Sequence, residues 1–571
     1  MKPSPLFRFS VLIIIIFISS IVNGQSVIWA KKGISPGFDY GNAIVADDSG
    51  NVYVTGQIEF TSVFDNVSLT SYGQHDIVVA KYDAAGILKW IRKAGGLEGD
   101  IGLGIGIDSS HNVYVTGEIE GVARFSSSIT LTSSGNNDGF IAKYDVNGIV
   151  LWAKRFGNSS RSDKGRAIAV SPAGNCYITG NFSSTVIFGS TTLTSNGGND
   201  IFVVKYDSNG NVGWAKRAGG SKQDRGHGIA IDPAENVYVT GAFTSSARFK
   251  TTTITNSGKY STFLAKYNSG GTFQWAKAAG SCCDSTQASG VTLDEDGNIY
   301  IAGLFADKAK FSSITLQSYG LKDIFIAKYS PTGSVLWAKH AGGSKEDIAY
   351  GITYDKIFHS IYLTGFVESS GTSGGIPYSF SGYKDVIIAA YDFSGNTKWV
   401  KTYGGSRRDI GNAITVDPLG FIYTTGIFNG TAPFGSIILT GYPNQPWADF
   451  FVNKILSPGF SSRSLQSTIN NSDDNLNNNT TSILRENSRI AESSLPLNQI
   501  KIFPNPFKNN FSLSSDNIIS YNIYNVLGNL LAHKENVRGE ISVGENLSPG
   551  IYYLQVIDGS EKKILTVVKV E

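Results

Sequence analysis

The chain has 571 residues, more than one ordinary compact domain holds. Only 16% of them are charged and the formal net charge is +2, so the charge balance gives no reason to expect nucleic acid or an anionic membrane as a partner. Tyr, Phe and Trp together reach 12%, and Gly, Ser, Thr and Asn fill the charge deficit, a composition that predicts an all-β protein.

The first 24 residues read as a signal peptide. Lys2 and Arg8 form a basic start, Phe9 to Ile18 an apolar run, and Val22 and Gly24 offer the −3 and −1 positions of a cleavage site. The alternative is a retained anchor. Cleavage is favoured because the run falls short of the ~20 residues that a spanning helix needs. No later segment is long and apolar enough to span, so no stable transmembrane segment is expected.

Residues 25–456 repeat themselves. Trp29, Trp90, Trp152, Trp214, Trp275, Trp337 and Trp399 follow one another at steps of 61 or 62 residues. Tyr53, Tyr114, Tyr177, Tyr238, Tyr300, Tyr362 and Tyr423 keep step with them. Each unit carries four strand signals. The first is small and apolar, as in Gly226–Asp232, and the second runs like Asn236–Gly241. The third runs like Phe140–Asp145 and the fourth, holding the Trp, like Val150–Lys154. Turns such as Asp294–Asn298 and Asp207–Gly210 supply the Gly and Asn that hairpins require. Four antiparallel strands used seven times predict a seven-bladed β-propeller. Strand one suits the crowded centre and the Trp strand the outer edge. There a Lys or Arg two residues after each Trp discourages sheet-to-sheet pairing. The chain opens on a lone fourth strand, Val27–Lys31, and its seventh unit stops after Asp449–Ile455. The N-terminal strand is therefore expected to close the propeller.

These units resemble the bacterial SBBP-type propeller repeats. The resemblance rests on D-x-x-G-N-x-Y-x-T-G, then a strand like Phe202–Asp207, then G-x-x-x-W-A-K-x-x-G-G. It departs at Ser171, which replaces the first-hairpin Asp, at one extra residue before Tyr362, and at the loop holding Pro443, Pro446 and Trp447. The resemblance implies a fold and no particular activity.

Residues 457–496 are rich in Ser and Asn and read as a flexible linker. Strand signals return at Ile500–Phe503, Phe511–Leu513, Ile519–Tyr524, Ile551–Ile557 and Lys563–Val570, predicting a small Ig-like β-sandwich over 497–571. This tail resembles the type A sorting domain of type IX secretion, found in the Bacteroidetes. The matching pieces hold Pro504, Asn505, Pro506, Gly528, Gly550 and Tyr552. The resemblance implies type IX secretion machinery as a partner, and delivery to the cell surface or medium after Sec export. An ordinary Ig-like binding module is the alternative.

Chemistry is sparse. Six histidines, His75, His111, His227, His340, His359 and His533, occupy non-equivalent positions, and no P-loop, nucleophile elbow or metal motif occurs. No cofactor is expected. Cys176 stands where sister units have Val or Ile and is read as buried; Cys282 and Cys283 are adjacent, either paired or free. The loop after each Trp strand carries an acid: Asp39, Asp100, Asp163, Asp224, Asp284, Asp347 and Asp409. The connection between strands two and three adds Asp76, Asp138, Asp200, Asp323, Asp385 and Asp449 on the same face. Asp100, Asp163, Asp224, Asp347 and Asp409 are the candidate ligand-face acids, weighed against a role in capping their own turns. The expected function is a non-catalytic exported surface protein that binds glycan or protein. The alternatives are a hydrolase or lyase working on one face, and a structural surface-layer component. A mixed cluster of His, Arg, Tyr and acid from non-equivalent positions would favour the enzyme.

Overall fold

The computed structural model describes residues 26–157, 162–255, 258–280, 284–443, 446–457, 501–503, 511–525, 530–545, 547, 550–558 and 561–569. The signal peptide, nearly all of the linker, Cys282 and Cys283 lie outside these residues, as do Pro504, Asn505, Pro506 and Gly528.

The first and larger part is all-β. The third unit shows the pattern: Lys164–Val170, Cys176–Phe188, Thr191–Tyr206 and Val212–Gly219 pair in that order, every pair antiparallel. The innermost strands are Tyr40–Ala46, Ile101–Ile107, Lys164–Val170, Arg225–Ile231, Thr286–Leu293, Asp347–Asp355 and Ile410–Val416. Each packs on the next and the last packs on the first, so they ring a central channel. The N-terminal strand Val27–Ile34 lies against Asp449–Ile455, from Val27 opposite Ile455 to Gly33 opposite Phe450. That ladder hides two edges that would otherwise stand open.

Recurring residues explain how neighbouring units dock. Trp90 donates from Nε1 to the Val146 carbonyl of the next unit at 2.9 Å, and Trp337 does the same to Phe393. The indole lies under a turn glycine of that unit. Gly148 has φ near 76°, and a Cβ there would come within 2.8 Å of the Trp90 ring. Each recurring Tyr hydroxyl donates to the hairpin Asp, as Tyr300 does to Asp294 at 2.9 Å. Where Ser171 replaces that Asp, Tyr177 donates instead to Glu235 of the following unit at 2.6 Å. The departure in one unit is repaired from its neighbour.

The connection between strands two and three is a hairpin arm and not a long loop. In the fourth unit the arm is Ser246–Phe249 with Thr252–Thr255. It reaches back to the third unit, where Phe249 pairs with Ala218 on the Trp strand. Lys308–Phe311 with Ile314–Gln317, and Gly371–Ser373 with Ile376–Tyr378, repeat the arrangement. The arm's inward residues are apolar, with Phe249 against Phe263 and Phe311 against Phe325 at ring centroids near 5.3 and 5.0 Å. The Trp strand is thus covered at its C-terminal end and open elsewhere.

The C-terminal part has five strands in one hydrogen-bonded antiparallel set: Lys501–Phe503, Phe511–Asn525, Leu530–Val543, Gly550–Asp558 and Glu561–Lys569. Two expected strands are one, because the chain runs through residues 514–518 as a register shift and not as a turn. Leu530–Val543 was not expected; its polar run Lys534–Asn536 hides the alternation that marks a strand. Phe511, Leu513, Ile523, Tyr552 and Leu554 form the small core. Cys176 is buried and donates to the Gly174 carbonyl. No helix among the described residues is long and apolar enough to cross a membrane.

Candidate functional site

The expected ligand-face acids sit inside the joints between units. Asp39, Asp100, Asp163, Asp224, Asp347 and Asp409 are all 0% exposed. Asp347 accepts from the Gly343 amide at 2.6 Å and, with its other oxygen, from the Glu368 amide at 3.0 Å. Asp100, Asp224 and Asp409 repeat both bonds, and Asp163 accepts from Ser183 N. Asp100, Asp224, Asp347 and Asp409 thus each tie the Gly-Gly turn of one unit to strand two of the next. The second set is equally enclosed: Asp76, Asp138, Asp200 and Asp323 are 0% exposed and each accepts the amide four residues back.

The two sets face each other across a glycine. A Cβ on Gly404 would lie 2.8 Å from Asp385 Oδ1 and 2.8 Å from Asp409 Oδ2. Burial raises Asp100, Asp224, Asp347 and Asp409 above the ordinary carboxyl range, the amide bonds oppose the rise, and the facing carboxyl adds to it. Asp100, Asp347 and Asp409 are pushed up to about 7 and Asp224 to about 6. One joint differs. Thr286, and not Asp284, takes the equivalent place, since its amide bonds the Tyr260 carbonyl as the Asp347 amide bonds Lys322. Ser261 faces it where Asp323 stands in the next unit. Two hydroxyl side chains occupy there the places that two carboxyls hold elsewhere, so this joint is built without a charge.

The innermost strands hold what the loops do not. The third residue after each joint position faces the channel and differs in most units: Asn42, Leu103, Arg166, His227, Ser289, Tyr350 and Asn412. Two residues further on, Ile105, Ile168, Ile229, Val291, Ile352 and Ile414 form an apolar floor. Above the floor opens a cavity of about 620 Å³ on the face carrying the Gly-Gly loops, where Tyr40, Gln287 and Arg408 join the wall. Below it, a second cavity of about 430 Å³ opens at the opposite face beside Asp48, His111, Glu295 and Lys356.

The upper mouth is chemically mixed. His227 Nδ1 lies 2.9 Å from the Ala288 carbonyl. A carbonyl only accepts, so that nitrogen carries the proton and Nε2 is the acceptor. Burial, with Arg166 and Arg225 nearby, holds this imidazole down to about 4, and the ring is neutral at neutral pH. Arg166 donates from Nε to Asn181 Oδ1 at 2.7 Å. Asn42 and Asn412 bond carbonyls of adjacent units, Gly102 and Gly41, each at 2.9 Å. Tyr350 is 37% exposed, and Tyr72, Tyr319 and Tyr383 stand further out at 50%, 62% and 63%. Sequence reading missed this ring because strand one was taken as filler. Its signal was present: aligned on the joint position, the first and third positions change chemical class from unit to unit, while the second and fourth stay Gly or Ala.

Comparison with known families settles the chain's make-up. Residues 501–570 match the Secretion system C-terminal sorting domain, and residues 151–181, 213–242 and 398–427 match the Beta-propeller repeat called SBBP. The chain carries SBBP propeller repeats and a type IX sorting domain. The sorting domain marks the SBBP propeller for export across the outer membrane, to the surface or the medium. Among curated proteins the chain is 22% identical over 510 residues to a WD repeat-containing protein of Acanthamoeba polyphaga mimivirus, covering 72% of this chain and 36% of that one. It is 23% identical over 359 residues to the regulatory protein FlaEY of Caulobacter vibrioides, covering 58% and 35%. The chain thus spans about a third of the length of these relatives. Among solved structures, PorZ of Porphyromonas gingivalis, a surface component of the type IX system, aligns over 95% of this chain and 100% of that one, at 10% identity and a TM-score of 0.23. A gluconolactonase of Xanthomonas campestris aligns over 58% and 96%, at 12% identity and a TM-score of 0.28.

Proposed function

We propose that this chain is an exported, non-catalytic seven-bladed propeller, closed by its N-terminal strand, that binds a glycan or protein at the upper channel mouth. Residues 1–24 are the signal peptide, 25–456 the propeller, 457–496 the linker and 497–571 the sorting domain. One observation carries the binding site: a fold that repeats nearly everything breaks its repeat at the channel-facing ring, from Asn42 through Arg166, His227 and Tyr350 to Asn412. Structural positions such as the joint carboxyls recur because every unit meets the same requirement. Positions freed from that requirement can differ, and a ligand with no sevenfold symmetry needs them to. Exposed Tyr rings around the same face suit the faces of sugar rings. The test is a glycan array and a pull-down with the mature chain, comparing wild type with His227→Ala and Tyr350→Ala. Binding lost in both variants at unchanged melting temperature supports the site. Binding unaffected by either refutes it.

One observation favours a hydrolase or lyase instead. A neutral His227, Tyr350, Arg166 and Arg408 share one mouth, the kind of mixed cluster acid–base chemistry uses. Against it, no carboxylate lines that cavity among the described residues. Release of reducing ends or unsaturated sugars from a bound polysaccharide would decide for the enzyme.

A further inference from the structure

Beside the upper mouth lies a third cavity, of about 450 Å³, whose wall holds Lys164, Arg166 and Arg225. Arg166 lines both cavities, so the two adjoin at its side chain. Among the described residues only one of the three cations has an acid. Lys164 Nζ is 2.6 Å from Glu118 Oε2. Arg166 spends its Nε on the neutral Asn181, and Arg225 Nε is buried with no hydrogen-bond partner among the described residues. Neither guanidinium is in an ion pair among those residues, while each lies close enough to oppose the other's charge and that of His227. The nearby carboxyls cannot help. Asp163 and Asp224 are 0% exposed and bound to backbone amides. Three cations against one carboxylate leave a local excess of +2.

An unsatisfied buried donor on an unpaired cation costs stability. Proteins keep such groups where a ligand completes them. The rest of the wall is neutral and hydroxylic or amidic, with Asn136, Asn181 and Asn199 giving both donors and acceptors. This is the complement of a small anion mounted on a polyhydroxylated ring.

We infer that Arg166 and Arg225 form a subsite for the acidic group of a uronate- or sulfate-bearing saccharide, seated between the third and fourth units. The guanidinium forks take the carboxylate or sulfate oxygens, and the asparagine side chains take ring hydroxyls. The inference rests on the glycan form of the proposed function and specifies its ligand class. Neutral regions of the same polymer lie over the channel mouth, against His227 and Tyr350.

The test uses the full mature chain and four probes in calorimetry: a galacturonate trimer, a sulfated galactan trimer, a neutral galactan trimer and inorganic sulfate. Binding of one charged trimer, weakened at least about tenfold by Arg225→Gln and by raised salt, is the expected result. Whichever charged trimer binds identifies the source of the anion. Binding of the neutral trimer as tightly as the charged ones overturns the anionic subsite and leaves glycan binding standing. Binding of no trimer overturns both. Sulfate alone, with neither charged trimer, means an adventitious anion site and overturns the saccharide assignment. Stability supplies an independent readout. Removing an unpaired charge should leave the melting temperature of Arg225→Gln equal or higher. A fall of more than about 3 °C would show that Arg225 supports the joint, and would overturn the subsite.

Discussion

At the residue scale the joint carboxyls decide how the protein answers pH. Their values in the folded chain lie above the ordinary carboxyl value, at about 7 for Asp100, Asp347 and Asp409. A raised value means the folded state holds the proton more tightly than the unfolded one. The stabilisation is complete below about pH 4 and is lost as pH rises through about 7. Melting temperature is therefore expected to fall between about pH 4 and about pH 7; a flat or rising profile would contradict the assignment. The Ser261–Thr286 joint suggests the companion experiment. Replacing Asp385 by Ser and Asp409 by Thr should keep the fold and shrink the alkaline loss. Asp347→Asn should cost about 1–3 kcal/mol in urea unfolding, because one of its two amide partners then faces an NH₂ group. The same variant should leave ligand binding unchanged, since the carboxyl is 0% exposed.

At the element scale the hairpin arms tie each unit to the one before it. Phe311→Ala removes the ring that packs on Phe325 and should cost about 3–5 kcal/mol. The effect belongs to the joint between the fourth and fifth units, so amide exchange should quicken on both sides of it. Quickening confined to the fifth unit would argue against the arm's bridging role. The N-terminal strand is an element of the same kind on a longer loop. Pro at Lys31, which lies opposite Val452, removes a donor and strains the ladder. That variant should lose several kcal/mol and expose Asp449–Ile455 to pairing with other chains, seen as aggregation in light scattering.

At the scale of the whole molecule, export and folding are expected to be separate tasks. The propeller's clusters contain no residue beyond Leu456, while the sorting domain has its own core around Leu513 and Leu554. Deletion of 497–571 should leave the propeller's thermal transition in place and stop delivery to the surface or medium in the native host. Continued delivery would remove the sorting role. Loss of the propeller's transition would show that the two parts fold together.

What the sequence determined by itself is whatever each unit repeats. The Trp, the Tyr and the Asp-Gly turns recur because every joint demands the same shape, and recurrence is visible without coordinates. The tail was legible for a related reason: its motif residues recur across a family in fixed order. The pairing of Val27–Lys31 with Asp449–Ile455 was readable because a spare strand and a missing strand must meet; its register was not. Only the tertiary structure decided which recurring groups face solvent. Asp224 and Arg225 are neighbours in the chain, yet one is sealed in a joint and the other lines a cavity, because successive residues of a strand point to opposite faces. The arms were hidden because their partner is the preceding unit, and local patterning does not name a partner. The channel ring was hidden because its residues differ, and their convergence exists only once seven strands close around one axis.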